Sequence, residues 1–161
     1  MNGETPRTFS VLLAADLIPR VTLCSRLFQN ESVRIVGEAS VAGEVLFVTH
    51  LCAPDAVVLD IRMGGLSSIR GIRNTAPDCV LIVLADAFTS PLRKECGRCG
   101  ANYFFDQNSD LSDVVSLLER LAIDPQLRRR SPADGSSNAE SSQAEVEISC
   151  DHKTKSDTRS Q

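Results

Sequence analysis

A chain of 161 residues with 42% hydrophobic content and a formal net charge of −4 has material for one folded domain around one core. The mildly acidic balance gives no basis for binding nucleic acid or an anionic membrane, and no segment reaches the ~18 apolar residues of a membrane span. The six cysteines are scattered, and no cleavage pattern follows the short apolar stretch after Arg7, which together predict a soluble cytoplasmic chain.

Apolar runs of strand length alternate with segments of helical period along the chain. The first strand is predicted over 9–14. Pro19 then opens a helix carrying Val21, Cys24, Leu27 and Phe28 on one face. A second strand over 33–37 precedes a helix over 41–51 that turns Val45, Val48 and Cys52 inward. The third strand, 56–59, is almost continuously apolar, as expected where helices cover both faces of a sheet. Leu66, Ile69 and Ile72 mark a third helix. Pro77-Asp78 breaks the chain before a fourth strand at 79–84. A fourth helix over 90–98 ends at Gly100, a residue suited to a left-handed helix terminus. The fifth strand is 102–105, and Ser109 or Asp110 caps a last helix that buries Leu111, Val114, Val115, Leu118 and Leu121. Beyond Pro125 the chain turns serine-rich and charged, with few large hydrophobes. Residues 1–8 are therefore expected to be a flexible N-terminus, 9–123 the folded domain and 124–161 a disordered tail.

Two of the predicted strands lead into carboxylates. Val11-Leu12-Leu13-Ala14-Ala15-Asp16 and Pro54-Asp55-Ala56-Val57-Val58-Leu59-Asp60 each deliver an aspartate at a C-terminal end, where open parallel sheets place their chemistry. Two carboxylates from neighbouring strand ends can share a hard cation such as Mg²⁺. Cys96-Gly97-Arg98-Cys99 has the spacing of a redox or zinc motif. Its place at the end of a helix, without two further ligands nearby in sequence, favours plain packing. No Ser/His/Asp or Cys/His set falls on neighbouring strand ends, so a hydrolase has no support.

These acids, with Val36-Gly37-Glu38-Ala39, Ile61-Arg62-Met63, Ile82-Val83-Leu84 and Gly100-Ala101-Asn102-Tyr103-Phe104-Phe105, make 9–122 resemble a response-regulator receiver domain of two-component signalling. The resemblance implies an α/β, flavodoxin-like (βα)₅ fold: a doubly wound five-stranded parallel sheet of strand order 2-1-3-4-5. It implies a signalling domain rather than an enzyme, with Asp60 as phosphoacceptor. It further implies Mg²⁺ held by Asp16, Asp60 and the backbone carbonyl of Arg62, and Phe104 as the switch aromatic. The implied partners are a histidine kinase or phosphotransfer protein and a downstream protein, with a homodimer through helix four, strand five and helix five.

Four positions depart from the family pattern. Ala15 replaces the first acid of the pair, Ala85 the strand-four hydroxyl and Gln107 the strand-five lysine. The loop after Asp60 runs almost at once through Gly64-Gly65 into a helix. A lysine contact contributes about 1.5–3 kcal/mol and a hydroxyl about 1. Throwing a two-state switch fully takes about 5.5 kcal/mol of differential binding. The losses thus predict slow, weakly Mg²⁺-dependent phosphorylation or none, with poor coupling to shape change. A stand-alone receiver acting through protein contacts, a pseudo-receiver that needs no phosphate and a flavodoxin-like cofactor binder are the readings in play. The last lacks a phosphate-binding loop.

Overall fold

Runs such as Val57-Val58-Leu59 and Val80–Ala85 are apolar throughout and must be covered on both faces. In the computed structural model of the chain, which describes residues 7–129, helices cover both sides of one sheet. The elements in chain order are β1 (Phe9–Ala14), α1 (Leu17–Leu27), β2 (Val33–Ala39), α2 (Ala42–Cys52), β3 (Ala56–Asp60) and α3 (Gly65–Thr75). They continue with β4 (Val80–Ala85), α4 (Ser90–Cys99), β5 (Tyr103–Asp106), α5 (Leu111–Ile123) and α6 (Pro125–Arg128). All strand pairs are parallel and the order is β2-β1-β3-β4-β5, the expected doubly wound arrangement.

Alternation along each strand divides the interior in two. Val11, Leu13, Val58, Ile82 and Leu84 face the layer built by Leu23 and Leu27 of α1 and Val114, Leu118 and Leu121 of α5. Leu12, Val57, Leu59, Leu81 and Val83 face Val45 of α2, Ile69 and Ile72 of α3 and Cys96 and Cys99 of α4. Both cysteines of the Cys-x-x-Cys spacing are thus buried core residues, and burial pushes the Cys96 thiol up to about 11. Cys79, where β4 begins, is pushed up to about 11 for the same reason.

The predicted elements are all present, with edges displaced by one or two residues. The face of α1 differs. The helix begins at Leu17 rather than at Pro19, and it buries Pro19, Leu23 and Leu27. Val21 and Phe28, expected inside, are exposed. On α2 the buried pair is Val45 and Thr49, with Val48 and Cys52 partly covered. The folded region also passes the expected boundary at Ile123. Asp124 caps α6 by accepting from the Gln126 N–H at 2.9 Å, and Arg128 lies 4.6 Å over the Phe9 ring while donating to the Leu121 and Ala122 carbonyls. Arg7, assigned to the flexible terminus, pairs with Asp55 at 3.2 Å. Residues 1–6 and the expected tail from 130 lie outside the described residues. No helix among the described residues is long and apolar enough to cross a membrane.

Arg73, in the last turn of α3, ties together connections at the N-terminal end of the sheet. Its guanidinium donates to the carbonyls of Pro77 (2.6 Å), Cys79 (2.9 Å) and Gly100 (2.7 Å) and to Asn102 Oδ1 (2.9 Å). Asn102 Oδ1 also accepts the Leu81 N–H, so the start of β4 and the approach to β5 share this anchor. Arg73→Ala should lower the urea-unfolding free energy by about 2–3 kcal/mol, because charge-assisted bonds are lost together. Arg73→Lys should recover less than half of that loss, since an ammonium cannot reproduce the planar fork.

Candidate functional site

Four strand ends meet at one rim. β1 runs out through the buried Ala15 to Asp16, the residue that precedes α1. β3 ends on Asp60 itself, β4 on the buried Ala85 with Asp86 next, and β5 on Asp106 followed by Gln107. The parallel register aligns Asp60 with Leu84 and Ala85 with Asp106, so these termini stand side by side. Asp16 makes no side-chain capping bond to α1, which leaves its carboxylate to the rim.

Asp60 is 0% exposed. A buried carboxylate is costly unless it is paired and hydrogen-bonded. The pairing comes from two residues along the chain. The Arg62 backbone N–H donates to Asp60 Oδ1 at 2.9 Å, and Arg62 Nε donates to Oδ1 and Oδ2 at 3.1 and 3.2 Å. Arg62 Nη2 completes the clamp at 2.7 Å from Oδ2. The same Nη2 lies 2.9 Å from Asp16 Oδ2 and donates to Gln107 Oε1 at 3.3 Å, while Nη1 is 3.9 Å from Asp86 Oδ2. Gln107 Nε2 donates in turn to Asp86 Oδ1. Hydrogen bonding to Asp60, with lesser help from the charges of Asp60, Asp16 and Asp86, raises the Arg62 guanidinium above its already high value, so it is cationic at any working pH.

The local backbone explains this reach. Met63 N–H donates to the Asp60 carbonyl at 2.8 Å and Gly65 N–H to that of Ile61 at 2.8 Å, closing a tight turn directly after β3. Gly64 (φ 89°) and Gly65 (φ 61°) adopt left-handed conformations that turn the chain straight into α3. A side chain at Gly64 would also run into Ser68 Oγ. With so short a turn, Arg62 folds back over the carboxylate.

The sequence-derived acids Asp16 and Asp60 are therefore brought together, with Gln107 at the same place and Ala15 and Ala85 buried beside it. Arg62 enters through its guanidinium, whereas the sequence reading gave a role only to its carbonyl. Asp86, directly after Ala85, is a further member of the rim. A signal for Arg62 was present in the sequence: Asp60 closes an apolar strand, and the nearest basic residue in the chain is two positions on. The arrangement does not fit Mg²⁺ while the guanidinium is in place, because both Asp60 oxygens and one of Asp16 are engaged by it. Among the described residues no group of three or more His, Cys, Asp or Glu side chains is disposed to hold a metal ion.

No family model matches the chain. Response regulator GacA of Pseudomonas aeruginosa is 24% identical over 109 residues, 66% of this chain and 50% of that protein, so the match spans half the length of the curated relative. A two-component response regulator of the LuxR family from Aurantimonas superposes with a TM-score of 0.66 at 24% identity, covering 84% of this chain and 99% of that one. The response regulator domain of Thermotoga maritima CheB gives 0.62 at 17%, covering 73% and 98%. A response regulator from Burkholderia pseudomallei, solved with a phosphorylated aspartic acid, a calcium ion and citrate, gives 0.59 at 20%, covering 73% and 70%. At these identities the structural likeness is one of fold.

Phe104, which the resemblance implied as a switch aromatic, is half-buried on β5. Its ring meets Phe88 edge-on, with centroids 5.6 Å apart and planes at 71°, and Arg93 of α4 lies 5.6 Å from both centroids. The contact joins the β4–α4 connection to β5 independently of position 85. A double-mutant cycle with Phe88→Ala and Phe104→Ala should give a coupling of about 1 kcal/mol in chemical denaturation, the amount expected of an edge-to-face pair beyond its buried area.

Proposed function

We propose, for a chain whose fold is that of response-regulator receiver domains, that it serves as a receiver in a two-component phosphorelay, with Asp60 as phosphoacceptor and its output delivered by binding another protein in the cytoplasm. The observation that carries this reading is the convergence of Asp60 and Asp16 on one cation at the C-terminal rim of the sheet. A phosphoryl group arriving there meets a carboxylate nucleophile, an adjacent guanidinium that offsets the charge on the phosphoryl oxygens, and the amide of Gln107. The Asp60 oxygen forms the new O–P bond as the donor's P–N or P–O bond breaks. Attack requires one Asp60 oxygen to leave the Arg62 clamp, which makes the reaction slow.

A donor protein has to approach this rim, and α1 begins at it. Leu17 and Ile18, immediately after Asp16, are 64% and 79% exposed, and Val21 extends the apolar surface by a turn. We assign kinase or phosphotransfer contact to this edge. The downstream protein or a second copy of the chain is assigned to α4, β5 and α5, where each residue of the edge strand β5 is only partly covered. A second reading, an interaction module that works without phosphate, is favoured by the full engagement of Asp60 by Arg62 and by Ala85 and Gln107 at the rim.

Incubation with acetyl phosphate followed by intact mass measurement separates the two. The expected result is slow gain of a single phosphoryl group by the native protein and none by Asp60→Ala. No mass gain by the native protein, or the same gain by both proteins, would remove Asp60 as acceptor and leave the phosphate-independent module. Ile18→Asp should leave acetyl phosphate labelling unchanged, keep stability within about 0.5 kcal/mol as a surface change, and slow phosphotransfer from a protein donor at least tenfold.

A further inference from the structure

We propose that the Arg62 guanidinium is the built-in cation of the strand-end rim, standing where a divalent metal ion stands in the family the chain resembles, so that the native protein does not take up Mg²⁺ at this site. The inference rests on the reading of Asp60 and Asp16 as the metal-facing acids of a receiver, and it concerns the ion rather than the phosphoryl group.

Among the described residues, every hydrogen bond to the Asp60 carboxylate comes from Arg62, one from its backbone and three from its guanidinium. The ion pairs of Asp16, Asp60 and Asp86 all run to the same side chain. Three carboxylates around one fixed positive charge is the electrostatic pattern of a cation site already filled. Position 107, where a lysine would add a second positive charge, instead carries an amide that accepts from Arg62 and donates to Asp86.

Two physical arguments favour the guanidinium over the ion. Arg62 is tethered two residues from Asp60 by a turn whose own bonds hold it there, so its local concentration exceeds that of a dissolved ion at millimolar level. Mg²⁺ also demands near-octahedral oxygen ligation and gives up water reluctantly. With Ala15 in place of an acid and both Asp60 oxygens and one Asp16 oxygen already bound to Arg62, the ion would have to sit against the guanidinium charge or expel it.

Thermal unfolding of the native protein, Arg62→Gln and Arg62→Lys, each with Mg²⁺ and with NaCl of matched ionic strength, tests this. The native protein and Arg62→Lys should melt at the same temperature in both salts. Arg62→Gln, with three acids left around an uncharged amide, should melt lower in NaCl and recover about 5 °C at Mg²⁺ roughly ten times its dissociation constant. A rise in the native protein equal to that of Arg62→Gln would overturn the proposal, as would an Arg62→Gln protein indifferent to Mg²⁺. If Arg62→Gln does not fold, amide NMR of the native protein decides. Unmoved Asp16, Asp60 and Arg62 signals on Mg²⁺ addition support the inference, and saturable shifts refute it. None of these readouts involves phosphorylation, so failure of Asp60 as acceptor and failure of the built-in cation give different results.

Discussion

A carboxylate with no exposed surface at the end of β3 sets the terms for everything around it. Taking such a charge out of water costs several kcal/mol, and only a well-bonded counter-charge offsets that. Asp60 has no alternative site: it terminates a strand buried on both faces, between β1 and β4, and its position follows from the same register that packs Val57, Val58 and Leu59. The clamp from Arg62 meets this requirement, and the rest of the rim follows from it. Asp16 turns away from capping α1, Gln107 bridges from Arg62 to Asp86, and the glycine pair shortens the path to α3 so that the guanidinium folds back.

Charge balance at the rim is thereby separate from the aromatic cluster on β5. The resemblance to receiver domains implies that Ala85 stands where a strand-four hydroxyl would link the ionic site to the switch aromatic. Ala85 is buried and carries no polar group, and Phe104 is held by Phe88 and Arg93 on its own side of the molecule. A ring fixed by α4 responds to what happens on α4. The structure therefore has an ionic rim and an aromatic cluster that share a sheet without sharing a side-chain contact at position 85.

Much of this was legible in the sequence, for physical reasons. Strands buried on both faces must be apolar throughout, so Val80–Ala85 and the run to Asp60 stand out in composition alone, and the helices between them show their period. Gly100 ended α4 as expected because a left-handed residue is needed there, and it adopts φ 114°. The acids at the rim could be placed because strand ends are fixed by the strands. The partner of Asp60 could not be placed in the same way, since a long side chain in a turn goes where electrostatics sends it. The α6 turn was missed because one helical turn leaves almost no periodic trace, and its anchor is the contact of Arg128 with Phe9, far away in sequence.

The misread face of α1 carries the most information about what lies outside the fold. The helix holds two apolar stripes. One, Leu17, Val21, Cys24 and Phe28, has regular helical spacing and more apolar residues, and the sequence reading placed three of its members inside. The structure buries the other, Pro19, Leu23 and Leu27, because α1 must fit between β2 and α5 with Leu23 directed at the core. Side chains as large as Leu17, Val21 and Phe28 are thus left in water on a helix whose first turn adjoins the acidic rim. Single exposed hydrophobes need no explanation, but a periodic stripe beside a charged site is the surface that a second protein reaching for that site would cover. The helix phase that completes the core is also the one that leaves this stripe exposed, so core packing and the exposure of the stripe are settled by one rotation of α1.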